Sequence, residues 1–219
     1  MTTVAVMQPY FFPYAGYFRL LARADTFVLY DDAQMRKGGR VHRTQVPGPS
    51  GAAEWLTLPI AAHPIATPID ACRFADGARE RFAARVARHP WLRDATGPMA
   101  SRIRDHLRAP LDSLVDYLED GLRLVADGLG LRADIVRSSR MAVDPALRGQ
   151  ERVVALVRAA GGSRYVNAPG GRSLYDAETF ARSDIELAFL PDYDGPFAMM
   201  LPAMMTEDPA TVAADVLAR

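Results

Sequence analysis

The spacing of apolar and polar positions changes several times along the chain, and each change predicts an element. The opening run Thr3-Val4-Ala5-Val6-Met7-Gln8 reads as a strand, and Pro9, which cannot donate to a sheet ladder, ends it at Gln8. Tyr10 to Gly16 mixes aromatics with Pro13 and predicts a stiff loop, because proline fixes its own φ and pushes its predecessor out of the helical region. Phe18, Leu20, Leu21 and Ala24 then recur at helical spacing, which predicts a helix from Tyr17 to Ala24. Thr26 to Tyr30 is apolar throughout, as in a strand buried on both faces. A β-loop-helix-β opening of this kind predicts a parallel pair joined by a right-handed crossover.

Beyond Asp31-Asp32 the basic stretch Met35 to Arg43 turns on Gly38-Gly39 and is expected to stay flexible without a ligand. Trp55 to Ile60 predicts a strand, and the proline-rich Ala61 to Pro68 a loop. An arginine-rich helix is expected from Asp76 to His89, with Phe82 and Val86 inward. The clearest helix runs from Leu111 to Leu129, where Leu111, Leu114, Leu118, Leu122, Val125 and Leu129 keep one stripe and Gly128 and Gly130 end it. Alternation follows: strand at Ala133 to Ser138, helix at Gln150 to Ala160, strand at Ser163 to Asn167, helix at Tyr175 to Arg182, strand at Ile185 to Leu190. The order predicts a layered α/β fold with a mainly parallel sheet flanked by helices. One domain over residues 1–219 is expected, with a helical insertion at about 76–130.

Composition narrows the partners. Lys plus Arg and Asp plus Glu are 26 each, so no overall charge argues for nucleic acid or a membrane surface, and a small or mixed-charge ligand is favoured. No apolar segment approaches membrane-spanning length and no signal-like leader opens the chain, so a soluble, unexported protein is expected, with no membrane insertion. Cys72 is the single cysteine, which excludes an intramolecular disulfide and makes a reducing cytoplasm the default. His89, Asp94 and His106 lack ligand spacing, so no transition-metal site is expected. Arginine is abundant and lysine nearly absent, so the eight arginines against three acids between Arg79 and Arg108 read as a solvated helix face. Composition leaves the cofactor unknown and allows an oligomer.

Three stretches carry a resemblance: Met7-Gln8-Pro9-Tyr10-Phe11-Phe12-Pro13-Tyr14-Ala15-Gly16-Tyr17-Phe18, then Val28-Leu29-Tyr30-Asp31-Asp32, then Lys37-Gly38-Gly39 with His42-Arg43. Together they resemble the opening of the WbqC-like family, densely over residues 3–60 and more thinly at 129–131, 162–167 and around Tyr175. In two places the sequence departs from the family pattern. His42 stands where the family usually has asparagine and Arg40 where it often has tryptophan, while Met204 to Asp208 does not reproduce the usual ending.

Ligands of open α/β sheets bind beyond the carboxyl ends of the strands, where Gln8, Tyr10, Asp31, Asp32 and Asn167 fall. Gln8 would hydrogen-bond a substrate amide or hydroxyl, and one aspartate would act as base or hold a cation; the plainer alternative is that Gln8 and Asp31 satisfy loop amides. Six aromatics fall within Tyr10 to Phe18; of these Phe11, Phe12 and Phe18 read as packing, and Tyr10 and Tyr17 as sugar- or base-stacking groups. Lys37 and Arg43 suit a phosphate or carboxylate, and His42 an acid or base beside the aspartates, with a solvated basic loop as the alternative. The expected catalytic set is therefore Asp31, Asp32, Lys37 and His42; the resemblance adds Tyr175 to Gln8, Tyr10, Tyr17, Arg43 and Asn167 as substrate contacts.

The family's setting in surface-polysaccharide, amino-sugar and natural-product gene clusters implies a small-molecule enzyme. The leading expectation is transfer of an acyl or aminoacyl group to an amine, needing a base and an oriented electrophile. Nucleotide-dependent activation with Asp31 or Asp32 on magnesium is a second, although a His-x-Gly-His motif is missing. A non-catalytic assembly protein of glycan synthesis is a third.

Overall fold

The computed structural model describes residues 1–48 and 50–218. The chain opens with β1 (Thr3–Met7), α1 (Ala15–Arg23) and β2 (Thr26–Leu29), followed by β3 (Arg43–Pro47) and β4 (Ala53–Thr57). Four helices come next: α2 (Ala78–Ala87), α3 (Pro90–Asp94), α4 (Ala100–Arg108) and α5 (Leu114–Gly128). Then β5 (Asp134–Arg137), α6 (Gly149–Ala159), β6 (Arg164–Asn167), α7 (Ala177–Ala181) and β7 (Glu186–Phe189) alternate, and α8 (Met200–Thr206) and α9 (Pro209–Ala218) complete the described chain.

Five strands make one parallel sheet in the order β5-β2-β1-β6-β7. Successive side chains of a strand face opposite sides, and here both sides are covered. Val4, Val6, Val28 and Tyr165 pack on α6 and on Phe180 of α7, whereas Ala5, Phe27, Leu29 and Val166 face the larger core with α1, α5, α8 and α9. The result is the layered α/β fold that the alternation predicts. Among the described residues, no helix is long and apolar enough to cross a membrane.

The strand order explains where the sheet opens. From β1 the chain steps outward through β2 to β5, then returns to the other side of β1 and steps out again through β6 to β7. Loops leaving β1 and β6 therefore run to opposite sides, and a crevice forms between them. Pairing sharpens the opening: β1 is in register with β2 at four positions, but with β6 only at Thr3↔Arg164 and Val4↔Tyr165. The carboxyl halves of β1 and β6 thus diverge.

A second sheet is the antiparallel hairpin β3-β4, with Gln45 opposite Trp55. It corrects two readings of the pattern. The expected strand at Trp55 to Ile60 is shifted to Ala53–Thr57 and pairs outside the parallel sheet, and its partner Arg-Thr-Gln-Val-Pro is too polar to announce itself. Only Thr44, Val46 and Leu56 of the pair are buried, packed towards α2 and α8. The basic stretch before it is also anchored more firmly than expected. Met35 and Val41 are 3% and 1% exposed, the Met35 amide donates to the Thr67 carbonyl at 2.9 Å, and the Phe11 amide to the Val41 carbonyl at 3.0 Å.

Candidate functional site

Where β1 and β6 diverge lies a cleft of about 700 Å³. Its floor comes from strand ends, with Gln8 after β1 and Asn167 closing β6. Its walls come from loops: Tyr10 and Tyr14 before α1, Tyr30 after β2, Arg36 and Arg40 on the basic stretch, Tyr175 before α7, and Asp192 with Tyr193 after β7.

Asn167 is the most constrained of these groups. It is 5% exposed, and its Oδ1 accepts from the Ala168 amide at 2.8 Å, which fixes the orientation of the side-chain amide. The Nδ2 donor then lies against Gly171, another residue of the cleft lining, and makes no hydrogen bond to the described residues. Glycine at 171 makes room for it, since a Cβ there would lie 2.3 Å from Nδ2. Gln8 is looser, with Nε2 3.5 Å from the Gln34 carbonyl.

The aromatic loop divides by burial. Tyr17 is fully buried and its hydroxyl donates to the Gln8 carbonyl at 2.9 Å, so it fixes the end of β1 and has no face left to stack on a ligand. Tyr10 packs on it at 5.6 Å between ring centroids and lines the cleft. Burial pushes the Tyr10 and Tyr14 hydroxyls above their usual pKa, with nearby Arg40 partly offsetting the shift at each, so both remain protonated donors at neutral pH. Tyr175 is held edge-on between Tyr165 and Phe180, each at 5.6 Å.

The remaining sequence candidates lie apart from this cleft. Asp31 is 1% exposed and accepts from Ser138 Oγ at 3.0 Å, the Ser139 amide at 2.9 Å and Ser139 Oγ at 2.6 Å. Asp32 sits 2.5 Å from the same Ser138 Oγ and pairs with Arg152, which also donates to the Asp144 carbonyl at 2.6 Å. The two aspartates thereby tie the end of β2 to the turn after β5 and to α6. Lys37 and His42 line a neighbouring hollow with His63 instead. Burial, then Arg43 and His63, hold the His42 imidazole below its usual pKa, and no hydrogen bond joins it to either aspartate. Arg43 donates to the Gly38 carbonyl and, at 3.0 Å, to the Gly39 carbonyl while its guanidinium lies 4.1 Å from the Trp55 ring centroid. It closes the basic stretch on itself.

The structure therefore brings together Gln8, Tyr10, Asn167 and Tyr175, and does not bring Asp31, Asp32, Lys37, His42 or Arg43 to them. Sequence reasoning passed over Tyr14, Tyr30, Arg36, Arg40, Asp192 and Tyr193. The strand-end rule that selects Asn167 would have reached Asp192 and Tyr193, which follow the predicted strand ending at Leu190. Among the described residues, no group of three His, Cys, Asp or Glu side chains is arranged to hold a metal ion.

A parallel sheet covered on both faces, with a cleft at its switch point, defines a layered α/β protein. Within that class, the chain belongs to the WbqC-like protein family, whose model it matches over residues 8–197. A similar chain is "Uncharacterized protein Rv1507c" of Mycobacterium tuberculosis (strain ATCC 25618 / H37Rv), 27% identical over 212 residues that cover 89% of this chain and 84% of that protein. No solved structure matches.

Proposed function

We propose that this protein is a biosynthetic transferase that moves an acyl or aminoacyl group onto an amine, on an amino sugar or a natural-product intermediate, within the cleft between β1 and β6. The observation that supports this most is Asn167 Nδ2, a donor on a buried side chain, oriented by the next backbone amide and left without a protein partner at the switch point. A donor held in place on a packed side chain and not spent on a protein acceptor is available to a ligand that enters the cleft. Acyl transfer supplies such a ligand in its transition state. The amine nitrogen attacks the acyl carbonyl carbon, the C–N bond forms, and negative charge collects on the carbonyl oxygen, where Asn167 Nδ2 and Gln8 Nε2 would donate. Collapse breaks the bond to the leaving group, and Asp192, the carboxylate on the wall, would take the proton from the nitrogen. The tyrosine rings and hydroxyls suit the polyol face of a sugar.

Magnesium-dependent activation gains no comparable support, because the carboxylates assigned to the cation accept from Ser138, Ser139 and Arg152. The test is turnover of a panel of amino sugars with acyl and aminoacyl thioesters, read by mass spectrometry. Asn167→Ala is expected to lower kcat by roughly a hundredfold, the usual cost of an oxyanion donor, with smaller effect on KM. Full activity in that variant sinks the role of Asn167, and an absence of product across the panel sinks the transfer.

A further inference from the structure

Arg36 and Arg40 share the cleft wall with Tyr10 and Tyr14, and neither forms an ion pair with a carboxylate among the described residues. In contrast, Arg137 is matched by Asp116 and Glu119, and Arg152 by Asp32. Both arginines offset part of the rise that burial causes in the Tyr10 pKa, as expected of two cations on the same cleft wall.

The stretch that carries them is built to hold a position. Gly38 adopts φ 77, a left-handed turn that glycine makes without strain, and the Gly39 amide closes the turn on the Arg36 carbonyl at 3.1 Å. Arg43 staples the far side to the Gly38 and Gly39 carbonyls. Arg40 lies between two aromatic rings, 5.2 Å from the Tyr14 centroid and 5.3 Å from that of Trp55. A guanidinium stacked in this way keeps its edge N–H donors free for an anion while its faces are covered.

Resting on the reading of the cleft as a substrate site, we infer that Arg36 and Arg40 cradle a phosphoryl group, so that one substrate of the protein is a phosphate-bearing compound. One carboxylate is satisfied by a single bidentate arginine. A phosphoryl dianion has more terminal oxygens and charge than one guanidinium can meet, and it matches two guanidinium groups with the protonated Tyr10 and Tyr14 hydroxyls beside them. The cradle stands on the wall formed by the basic stretch, whereas Asn167 and Gln8 lie on the floor. The anionic group would therefore anchor the substrate while the reacting end reaches the strand ends, the division of labour in which a non-reacting part supplies binding energy.

Calorimetric titration of the full-length protein with inorganic pyrophosphate tests this, with acetate as the carboxylate probe. Wild type is expected to bind pyrophosphate in preference to acetate, with affinity falling as salt rises. Arg36→Gln and Arg40→Gln should each weaken binding at least about tenfold, and Arg23→Gln, on an exposed turn of α1, should leave it unchanged. Arg40→Lys keeps the charge but loses the planar, stacked fork, and should bind more weakly than wild type and more tightly than the glutamine variant. Unaltered affinity in the glutamine variants overturns the cradle, as does equal affinity for acetate, or loss in the lysine variant that matches the glutamine one. The two readings fail separately. Pyrophosphate binding that depends on Arg40 with no amine acylated leaves the cradle standing without the transfer; acylation that proceeds equally in Arg40→Gln does the reverse.

Discussion

At the scale of single residues, Asn167 depends on an atom that is absent, the Cβ of residue 171. Gly171 is buried against Asn167, and an added methyl would lie 2.3 Å from Nδ2 and 3.1 Å from Cγ. The Asn167 amide is anchored through Oδ1 to the Ala168 backbone, so it cannot yield without giving up that bond. Gly170, one position earlier, has nothing within 4 Å of where its Cβ would be. Gly171→Ala is therefore expected to destabilise by about 1–3 kcal/mol in denaturant titration and to lower turnover in the cleft. Gly170→Ala should be close to neutral in both. Equal behaviour of the two variants would show that the space beside Asn167 does not matter.

At the scale of elements, the carboxylates after β2 act as a joint. Asp31 and Asp32 reach Ser138 and Ser139 after β5 and Arg152 on α6, so three elements distant in sequence meet through one polar cluster. Arg152 is 5% and Asp32 24% exposed at the side chain, so removing the cation leaves a partly buried carboxylate without its counter-charge. Arg152→Met is expected to cost about 3 kcal/mol, and Asp32→Asn added to it should recover part of that loss. The double-mutant cycle in urea reads the coupling directly, and additive losses would mean that the pair does not interact. The same cluster marks how far the sequence was legible. Strand ends could be located because Val4 to Met7 and Phe27 to Leu29 are short apolar runs of a covered parallel sheet and Tyr165-Val166 is an apolar pair just before Asn167. What their end residues face could not be read, because Asp31 meets Ser138 across 107 positions, a separation no local period encodes. β3 went unseen for a different reason: only Thr44 and Val46 of the run face the core, one of them polar, between the half-buried Arg43, Gln45 and Pro47, and it belongs to a two-stranded ribbon apart from the parallel sheet.

At the scale of the whole molecule, His106 ties the helical layer to the cleft loop and makes stability depend on pH. Its ring stacks on Tyr117 of α5 at 4.4 Å and meets Phe12 of the aromatic loop edge-on at 5.6 Å, with Nε2 buried and unpartnered among the described residues. Burial pulls its pKa from the usual 6.5 to about 4. Between those values the unfolded chain binds a proton that the folded one refuses, so stability rises with pH across the window and is lost on acidification. At pH about 5 the linked loss relative to pH 7 is about 2 kcal/mol. His42, also held low by burial and by Arg43, contributes in the same direction. Asp70, raised by burial and by Asp31 and Asp32, opposes it below its folded pKa. Comparing wild type with a variant cancels both. His106→Leu removes the titrating group, so its unfolding free energy should fall less between pH 7 and 5 than that of wild type, whatever the offset between them at neutrality. Parallel curves for the two proteins in urea titrations across that range would mean that His106 is not the group that couples folding to the proton.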